Sequence, residues 1–423
     1  MRSTGVFRSL RGHNYRLWAG GALVSNIGTW MQRTAQDWLV LTQLTHHNAT
    51  AVGVVIGLQF APQVLLLPLT GYAADHMDRR KILIATQVAM GLLALGLGLL
   101  TVSGLAQLRH VYAFAFALGC VSAFDAPARQ TFVAELVGEA DISNAVALNS
   151  TSFNAARLIG PAAAGLLIAS IGTGWVFLIN AASFAAVIGS LLLLRVNALH
   201  GETQAKRAPG GLAEGFRYVW SRPDLKAILM MMVLIGAFGM NFAIYLSTMA
   251  VTAFHAGADA YGFLTSVMAI GSVAGALTSA HWEKPHAALL FFAAATFGFG
   301  FALAAFTPNY WLFGATLVVI GVSGQTLNTI VISRAQLSTP AAMRGRVMAI
   351  LLATTLGGAP IGAPIVGWVA DRFGPRWALG VGAAAGLGAA LTALNYLIRH
   401  CGLRLRIAAG WPRFTLNDSA VGL

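Results

Sequence analysis

The sequence predicts an all-α membrane protein, with twelve transmembrane helices in two pseudo-symmetric six-helix bundles. Three observations carry this expectation. Apolar residues make up 57% of the 423 residues and charged residues only 10%, with a mean hydropathy of +0.71. A soluble domain is about 25% charged, so this chain has too few charges to coat a water-facing surface. The apolar residues also fall into twelve runs, each near the roughly 20 residues that a helix needs to cross a bilayer. Finally, lysine and arginine concentrate in alternate loops between the runs. The same composition excludes intrinsic disorder, and a total of two cysteines, Cys120 and Cys401, excludes a disulfide scaffold.

The first run spans 17–44. Arg2, Arg8, Arg11 and Arg16 precede it, as in a secretory leader. It is too long for a leader and no small-residue cleavage site follows, so it reads as a retained span. Further runs lie near 51–74, 82–104, 109–128, 144–170, 174–194, 227–253, 260–281, 287–306, 310–333, 347–370 and 377–398. With the N-terminus inside, the inner segments hold nearly all the basic residues, among them Arg79, Arg80, Lys81, Arg195, Arg217, Arg334 and Arg399. The outer loops hold Arg109, Arg372 and Arg376. Positively charged loops stay cytoplasmic, which places both termini inside a multi-pass protein of the cell (inner) membrane. The expected divisions are a cytoplasmic segment at 1–16, a bundle at 17–195, a cytoplasmic linker at 196–226, a second bundle at 227–399 and a cytoplasmic tail at 400–423, disordered or lying on the surface. The net charge of +13 does not indicate nucleic-acid binding, because the basic residues are not interleaved with aromatics on one face.

An internal repeat supports two halves. Gly160, Gly165, Gly172 and Trp175 recur with the same spacing as Gly362, Gly367, Gly374 and Trp377, at and after spans five and eleven. Ala49-Thr50-Ala51-Val52-Gly53 likewise overlays Ala258-Asp259-Ala260-Tyr261-Gly262. Parallel six-span halves with a midplane site between them form one large transporter class.

The loop after span two reads Gly71-Tyr72-Ala73-Ala74-Asp75-His76-Met77-Asp78-Arg79-Arg80-Lys81. It resembles the G-x-x-x-D-R-x-G-R-R signature of the major facilitator superfamily at Gly71, Asp75, Arg79 and Arg80. His76 and Asp78 stand where the signature has arginine and glycine. Gly71 lets helices approach closely, and Asp75 can accept hydrogen bonds at a neighbouring helix end. Other segments are similar to the superfamily's drug and siderophore exporter branch, which includes the macrolide efflux pumps and the enterobactin exporter. They are 10–18, Ala35-Gln36-Asp37-Trp38-Leu39, Phe124-Asp125-Ala126-Pro127-Ala128-Arg129-Gln130, 154–161, 214–220 and Arg344-Gly345-Arg346. The resemblance runs nearly the whole chain, although Ala280-His281-Trp282-Glu283-Lys284 replaces the basic loop in the second half. It implies the major facilitator fold and a central cavity lined by spans one, four, seven and ten. It also implies a gating loop that latches one conformation, and a Gly/Pro-rich span five of the kind found in antiporters.

Ionisable residues inside a span are costly and mark function by default; here they are Arg33, Asp37 and Arg157. Asn26, Thr29, Arg33, Gln36 and Asp37 share one face of span one, and a polar stripe must face protein or water. Span seven carries Asn241, Tyr245 and Thr248; span ten carries Gln325, Asn328 and Thr329. Asp37 with Arg33 is the expected proton-coupling pair, about 30 Å along the helix and so near the outer mouth. A carboxylate gains proton affinity on burial and loses it beside a guanidinium, so a moving Arg33 would couple proton uptake to release. The open alternatives are a fixed Arg33–Asp37 pair, four residues apart, and direct substrate contact. On span five, Asn154 and Arg157 join the expected cavity set; Arg157 either holds a neighbouring helix or attracts an anionic substrate. Gly160, Pro161 and Gly165, mirrored by Gly362, Pro364 and Gly367, form expected rocking or close-packing surfaces. Asp125 and Arg129 are expected to join Asp75, Arg79, Arg344 and Arg346 in one inner charge network that breaks as the gate opens, with simple surface charge as the alternative.

No phosphate-binding G-x-x-x-x-G-K-[ST] loop, HExxH, CxxC or serine-nucleophile pattern is present, and the ten histidines are scattered. The expected function is secondary active export of small amphipathic molecules (drugs) by alternating access in exchange for protons, by a monomer without metal or cofactor. The alternatives are a dedicated exporter of an endogenous metabolite such as a siderophore and, more distantly, a polytopic membrane enzyme.

Overall fold

The computed structural model describes residues 6–200, 212–282, 285–402, 404–408 and 411–415. Arg2, Glu283, Lys284 and positions 201–211 of the expected linker lie outside them, as does the side chain of Asp75. The described chain is helical apart from one short β pair.

The first-half helices are α1 (His13–Trp38), α2 (Ala49–Leu65), α3 (Leu67–His76), α4 (Arg79–Val102), α5 (Leu108–Glu135), α6 (Ile142–Ile171) and α7 (Thr173–Leu192). They are followed by α8 (Leu212–Ser221), α9 (Pro223–Leu234), α10 (Phe242–Thr248), α11 (Ala258–Ser279), α12 (Ala288–Phe306), α13 (Tyr310–Leu337), α14 (Ala341–Phe373) and α15 (Pro375–His400). Among the described residues ten stretches are long and apolar enough to cross a membrane: those containing α4 to α7, the Pro223–Ala253 stretch, and those containing α11 to α15. The other two expected spans fall short for visible reasons. α1 carries Asn14, Ser25, Gln32, Arg33, Gln36 and Asp37, then continues as a π-helical turn, Leu39–Leu44. Span two is interrupted at Leu66, where ψ is 1°, and Pro68 falls in the first turn of α3, the one place in a helix where a missing N–H costs little.

Span seven is also less regular than expected. A π-helical turn, Ile235–Gly239, follows α9, and a second, Met249–Ala253, follows α10. Between them, Asn241 donates its side-chain amide to the Ala237 carbonyl at 2.6 Å, replacing a backbone bond lost at the break.

Two compact units form. The first contains Met1–Lys206, Ala243–Ala269 and Ala363–Asp371; the second contains Arg207–Phe242, Ile270–Gly362 and Arg372–Leu423. This grouping joins segments that the six-and-six expectation kept apart in sequence. In the first unit, α1 packs on α6 and α7, α4 on α5 and α7, and α2 on α5, around Tyr15, Trp18, Leu83, Phe132 and Phe184. The 3-10 turn Arg8–Arg11 is tied to the start of α6: Arg8 pairs with Asp141 at 2.8 Å, and the Ser9 hydroxyl donates to Asn144 Oδ1 at 2.8 Å. In the second unit, α12 packs on α13 and α15, and α15 on α9.

At the C-terminus β1 (Arg404–Ala408) pairs antiparallel with β2 (Trp411–Thr415), where a disordered or surface-lying tail was expected. The alternation Arg404-Leu405-Arg406-Ile407 is a period-two strand signal that the basic composition masked.

Close helix approach depends on absent side chains. A Cβ on Gly298 of α12 would lie 2.6 Å from the Leu387 backbone nitrogen of α15. Forced overpacking costs roughly 1–3 kcal/mol. A Gly298→Leu chain is therefore expected to melt at lower temperature in detergent than a Gly380→Leu control, whose Cβ meets nothing within 4 Å; equal melting temperatures would contradict this packing.

Candidate functional site

The functional candidates on α1 separate into two settings. Near the C-terminal end of α1, Asp37 is 9% exposed and accepts a hydrogen bond from the Tyr261 hydroxyl of α11 at 3.1 Å. Trp38 stacks on the Tyr261 ring, with centroids 6.2 Å apart and planes at 20°. Arg33, one turn back, does not form the close pair with Asp37 that their spacing allows. Its guanidinium carbon lies 5.0 Å from the Trp30 ring centroid. Its Nε is buried without a hydrogen-bond partner. The reason is local: aromatic neighbours offer each side chain another partner, the tyrosine hydroxyl for the carboxylate and the indole face for the guanidinium.

Farther back along α1 the polar groups gather around one carboxylate, although Gln87 Oε1 and Trp18 Nε1 beside it are buried without partners. Asp125 of α5, 6% exposed, accepts from Thr86 Oγ1 at 2.8 Å and Gln87 Nε2 at 2.6 Å through one oxygen. Its other oxygen accepts from Arg129 Nε and Nη2, both at 3.0 Å. Arg129 also reaches Asn26 Oδ1 at 3.4 Å and lies 5.7 Å from the Trp18 ring centroid. Asn26 is thus drawn to α5. Of the other expected cavity residues on α1, Thr29 bonds back to the Ser25 carbonyl at 2.9 Å and Gln36 is buried.

The remaining expected cavity residues are dispersed. On α6, Asn154 donates to the Ser150 carbonyl at 2.9 Å, and Arg157 is half-buried. Tyr245 is fully buried and Asn241 is turned onto its own backbone. Gln325 and Asn328 of α13 are half-buried in the second unit, Gln325 lending its carbonyl to Thr329 at 3.0 Å.

The single inner charge network expected from sequence is not what the described residues form. Arg79 pairs with Glu135 at 2.6 Å. Arg80 donates its Nε to the Leu191 carbonyl at 2.8 Å, capping the last turn of α7, where cations are favoured. In the second unit Arg346 pairs with Glu214 of α8 at 3.0 Å, and Arg344 reaches the Thr339 carbonyl at 3.4 Å. Asp125 and Arg129 form the separate cluster above. Gly71 is half-buried on α3. Glu135 and Glu214 were missed because acidic residues far off in sequence carry no spacing signal.

Within the first unit, small residues bring α6, α11, α2 and α14 together. A Cβ on Gly160 would sit 2.5 Å from the Trp30 Cβ, and one on Gly165 2.5 Å from the Ala258 carbonyl oxygen. Gly262 faces the Pro161 carbonyl; Gly53 faces the Ala363 carbonyl and lies against Pro364; Gly367 faces the Ala49 carbonyl. Gly362, in the second unit, abuts the Ala237 carbonyl. Beside these contacts the Asp371 carboxylate grips the start of α2: it accepts from the backbone N–H of Ala49 at 2.7 Å and of Thr50 at 2.8 Å, and from the Thr50 hydroxyl at 2.5 Å. Sequence reading passed over Asp371 and Tyr261, since a single charge or tyrosine at a span end looks ordinary.

Removing one partner of a buried ion pair costs about 3–5 kcal/mol. Arg129→Ala is therefore expected to lower the melting temperature strongly, and Asp125→Asn combined with Arg129→Gln to recover part of the loss. A single variant as stable as the parent would show the cluster to be energetically idle.

Comparison with known proteins agrees with this architecture. Residues 4–416 match the family profile described as transmembrane secretion effector. The chain is 26% identical over 350 residues to the staphyloferrin A transporter of Staphylococcus aureus, covering 82% of this chain and 87% of that protein. It is 26% identical over 390 residues to the enterobactin exporter EntS of Shigella flexneri, covering 90% of each. Similar solved structures include the nucleoside transporter NupG, at a TM-score of 0.72, 13% identity and coverage of 91% of this chain and 99% of that one. A bacterial homologue of the iron transporter ferroportin in an inward-facing state also gives a TM-score of 0.72, at 14% identity, covering 91% and 99%. Ten apolar spans, glycine-seated helix contacts and a profile match across almost the entire length lead to one assignment: the chain is a multi-pass membrane transporter that belongs to the transmembrane secretion effector family of the major facilitator superfamily.

Proposed function

We propose that this transporter exports a small amphipathic metabolite of the siderophore kind from the cytoplasm by alternating access, in exchange for protons. The observation that carries the reading is how three second-half spans divide. α11 belongs to the first compact unit up to Ala269, α14 belongs to it only from Ala363, and the Pro223–Ala253 stretch joins it from Ala243. One end of each therefore groups with the first-half helices. With both termini cytoplasmic, as the Lys/Arg distribution indicates, those are the outer ends. Asp371 on α2, Tyr261 on Asp37 and the glycine seats of Gly53, Gly165, Gly262 and Gly367 then act as a closed outer gate. A gate made of discrete hydrogen bonds and close backbone contacts has two states rather than a continuum.

The substrate class rests on the relatives, whose names specify a staphyloferrin A transporter and an enterobactin exporter. They favour an endogenous metabolite over drugs. Asp37 fits the proton role because protonation removes the charge that holds the Tyr261 hydroxyl, so proton arrival from outside loosens the α1–α11 contact. Opening from outside and substrate release then share one event.

Two outcomes are expected. In everted vesicles Asp37→Asn loses pH-driven accumulation while keeping substrate binding; full active transport by that variant removes Asp37 from the mechanism. In a background lacking Cys120 and Cys401, Thr50→Cys with Asp371→Cys cross-links under oxidant and stops transport until reductant is added. Undiminished transport after complete cross-linking would falsify the gate.

A further inference from the structure

Resting on the export reading, we propose that the half of the site carried by α1 and α6 binds an acidic group of the substrate, and that Arg33 is the residue that receives it. The substrate class this selects is anionic, with a carboxylate or comparably planar acid next to an aromatic or apolar body.

Within 17–195, the acids lying well inside the helices are Asp37 and Asp125, and the basic residues there are Arg33, Arg129 and Arg157. Asp125 is consumed by Arg129 at 3.0 Å, with its remaining acceptor capacity filled by Thr86 and Gln87. Asp37 is held by Tyr261. Arg33 is left without an ion pair or hydrogen bond among the described residues. A guanidinium at membrane depth with no hydrogen-bonded counter-charge is costly, and Asp37, one turn away, acts on it across space without pairing with it. That the two side chains are directed to different partners leaves the cost for a ligand to offset.

The Nε of Arg33 is buried and unpartnered, whereas its terminal nitrogens are not among the buried orphans. Arg33 as a whole is half-buried, and its guanidinium carbon lies 5.0 Å from the Trp30 ring centroid. A guanidinium oriented by an indole presents parallel N–H groups for bidentate capture of a carboxylate. Phe153 meets Trp30 edge-on at 5.7 Å, which gives an aromatic wall on the α6 side. Arg157 lies one turn of α6 beyond Phe153 and brings a second guanidinium to the same helix pair. The small Gly160 sets α6 directly against Trp30, so the wall and the charge are held in fixed relation. A site of this kind rejects neutral analogues of the same shape, because they leave the guanidinium donors unpaired.

The test uses the full chain in lipid nanodiscs and two probes of equal shape, benzene-1,3,5-tricarboxylate and its neutral triamide, with dissociation constants measured by titration calorimetry. The parent is expected to bind the tricarboxylate at least about tenfold tighter than the triamide. Arg33→Gln is expected to erase that preference, and Arg33→Lys to keep part of it through charge without the bidentate fork. Trp30→Leu is expected to weaken tricarboxylate binding severalfold by freeing the guanidinium. The melting temperature of each variant establishes that it is folded, and Arg33→Lys serves as the readout if Arg33→Gln does not fold. Binding of neither probe, equal binding of both, or an acid preference unchanged in Arg33→Lys and Trp30→Leu overturns the proposal. The calorimetric preference does not depend on transport. Acid-selective binding without secretion of any anion by cells would leave this site standing and sink the export reading; secretion of a neutral compound with no acid preference would do the reverse.

Discussion

A hydrocarbon environment supplies no hydrogen-bond partners, and that constraint organises the structure. Each polar side chain carried into a span must find a partner inside the protein. The carboxylate of Asp125 takes four donors from three neighbours. Asn180 donates to Gln32 at 2.6 Å, joining α7 to α1. The hydroxyls of Thr29, Thr34, Thr101 and Thr248 each bond back to their own helix. Such closure makes the departures informative: among the described residues Arg33 Nε, Trp18 Nε1, Gln87 Oε1 and Ser152 Oγ are buried without a hydrogen-bond partner.

The same constraint explains the dependence on glycine. Lipid is as apolar as leucine, so helices gain little by burying large side chains against one another and gain more by bringing backbones together. The contacts of Gly53, Gly165, Gly262 and Gly367 are backbone to backbone. They are also reversible, because interfaces without interdigitating side chains separate without rotamer rearrangement. Asp371 adds direction to one of them by placing a negative charge at the positive end of α2.

Much of this was legible in the chain itself. Composition and the alternation of Lys/Arg established the membrane class. The spacing shared by Gly160 and Gly165 with Gly362 and Gly367 marked positions that the structure places in tight helix contacts. Partner choice was not legible. Spacing says that Arg33 and Asp37 share a face, but Trp30 and Tyr261 decide what each side chain touches. Nor does sequence distance pair Arg79 with Glu135 or Arg346 with Glu214. The stripe read on Asn241, Tyr245 and Thr248 assumed 3.6 residues per turn. Tyr245 and Thr248 keep that spacing within α10, but Asn241 lies in the break before it, with its side chain turned back onto the Ala237 carbonyl.

The interruption at Met240 and Asn241 has a mechanical corollary. A continuous helix resists bending along its whole length, whereas two short rods joined at a pair of residues swivel there at little cost. The first rod and the turn after it lie in the second compact unit, and the other rod belongs to the first unit from Ala243 onward. The span can therefore change its course through a few backbone torsions at Met240 and Asn241 instead of through strained hydrogen bonds along its whole length.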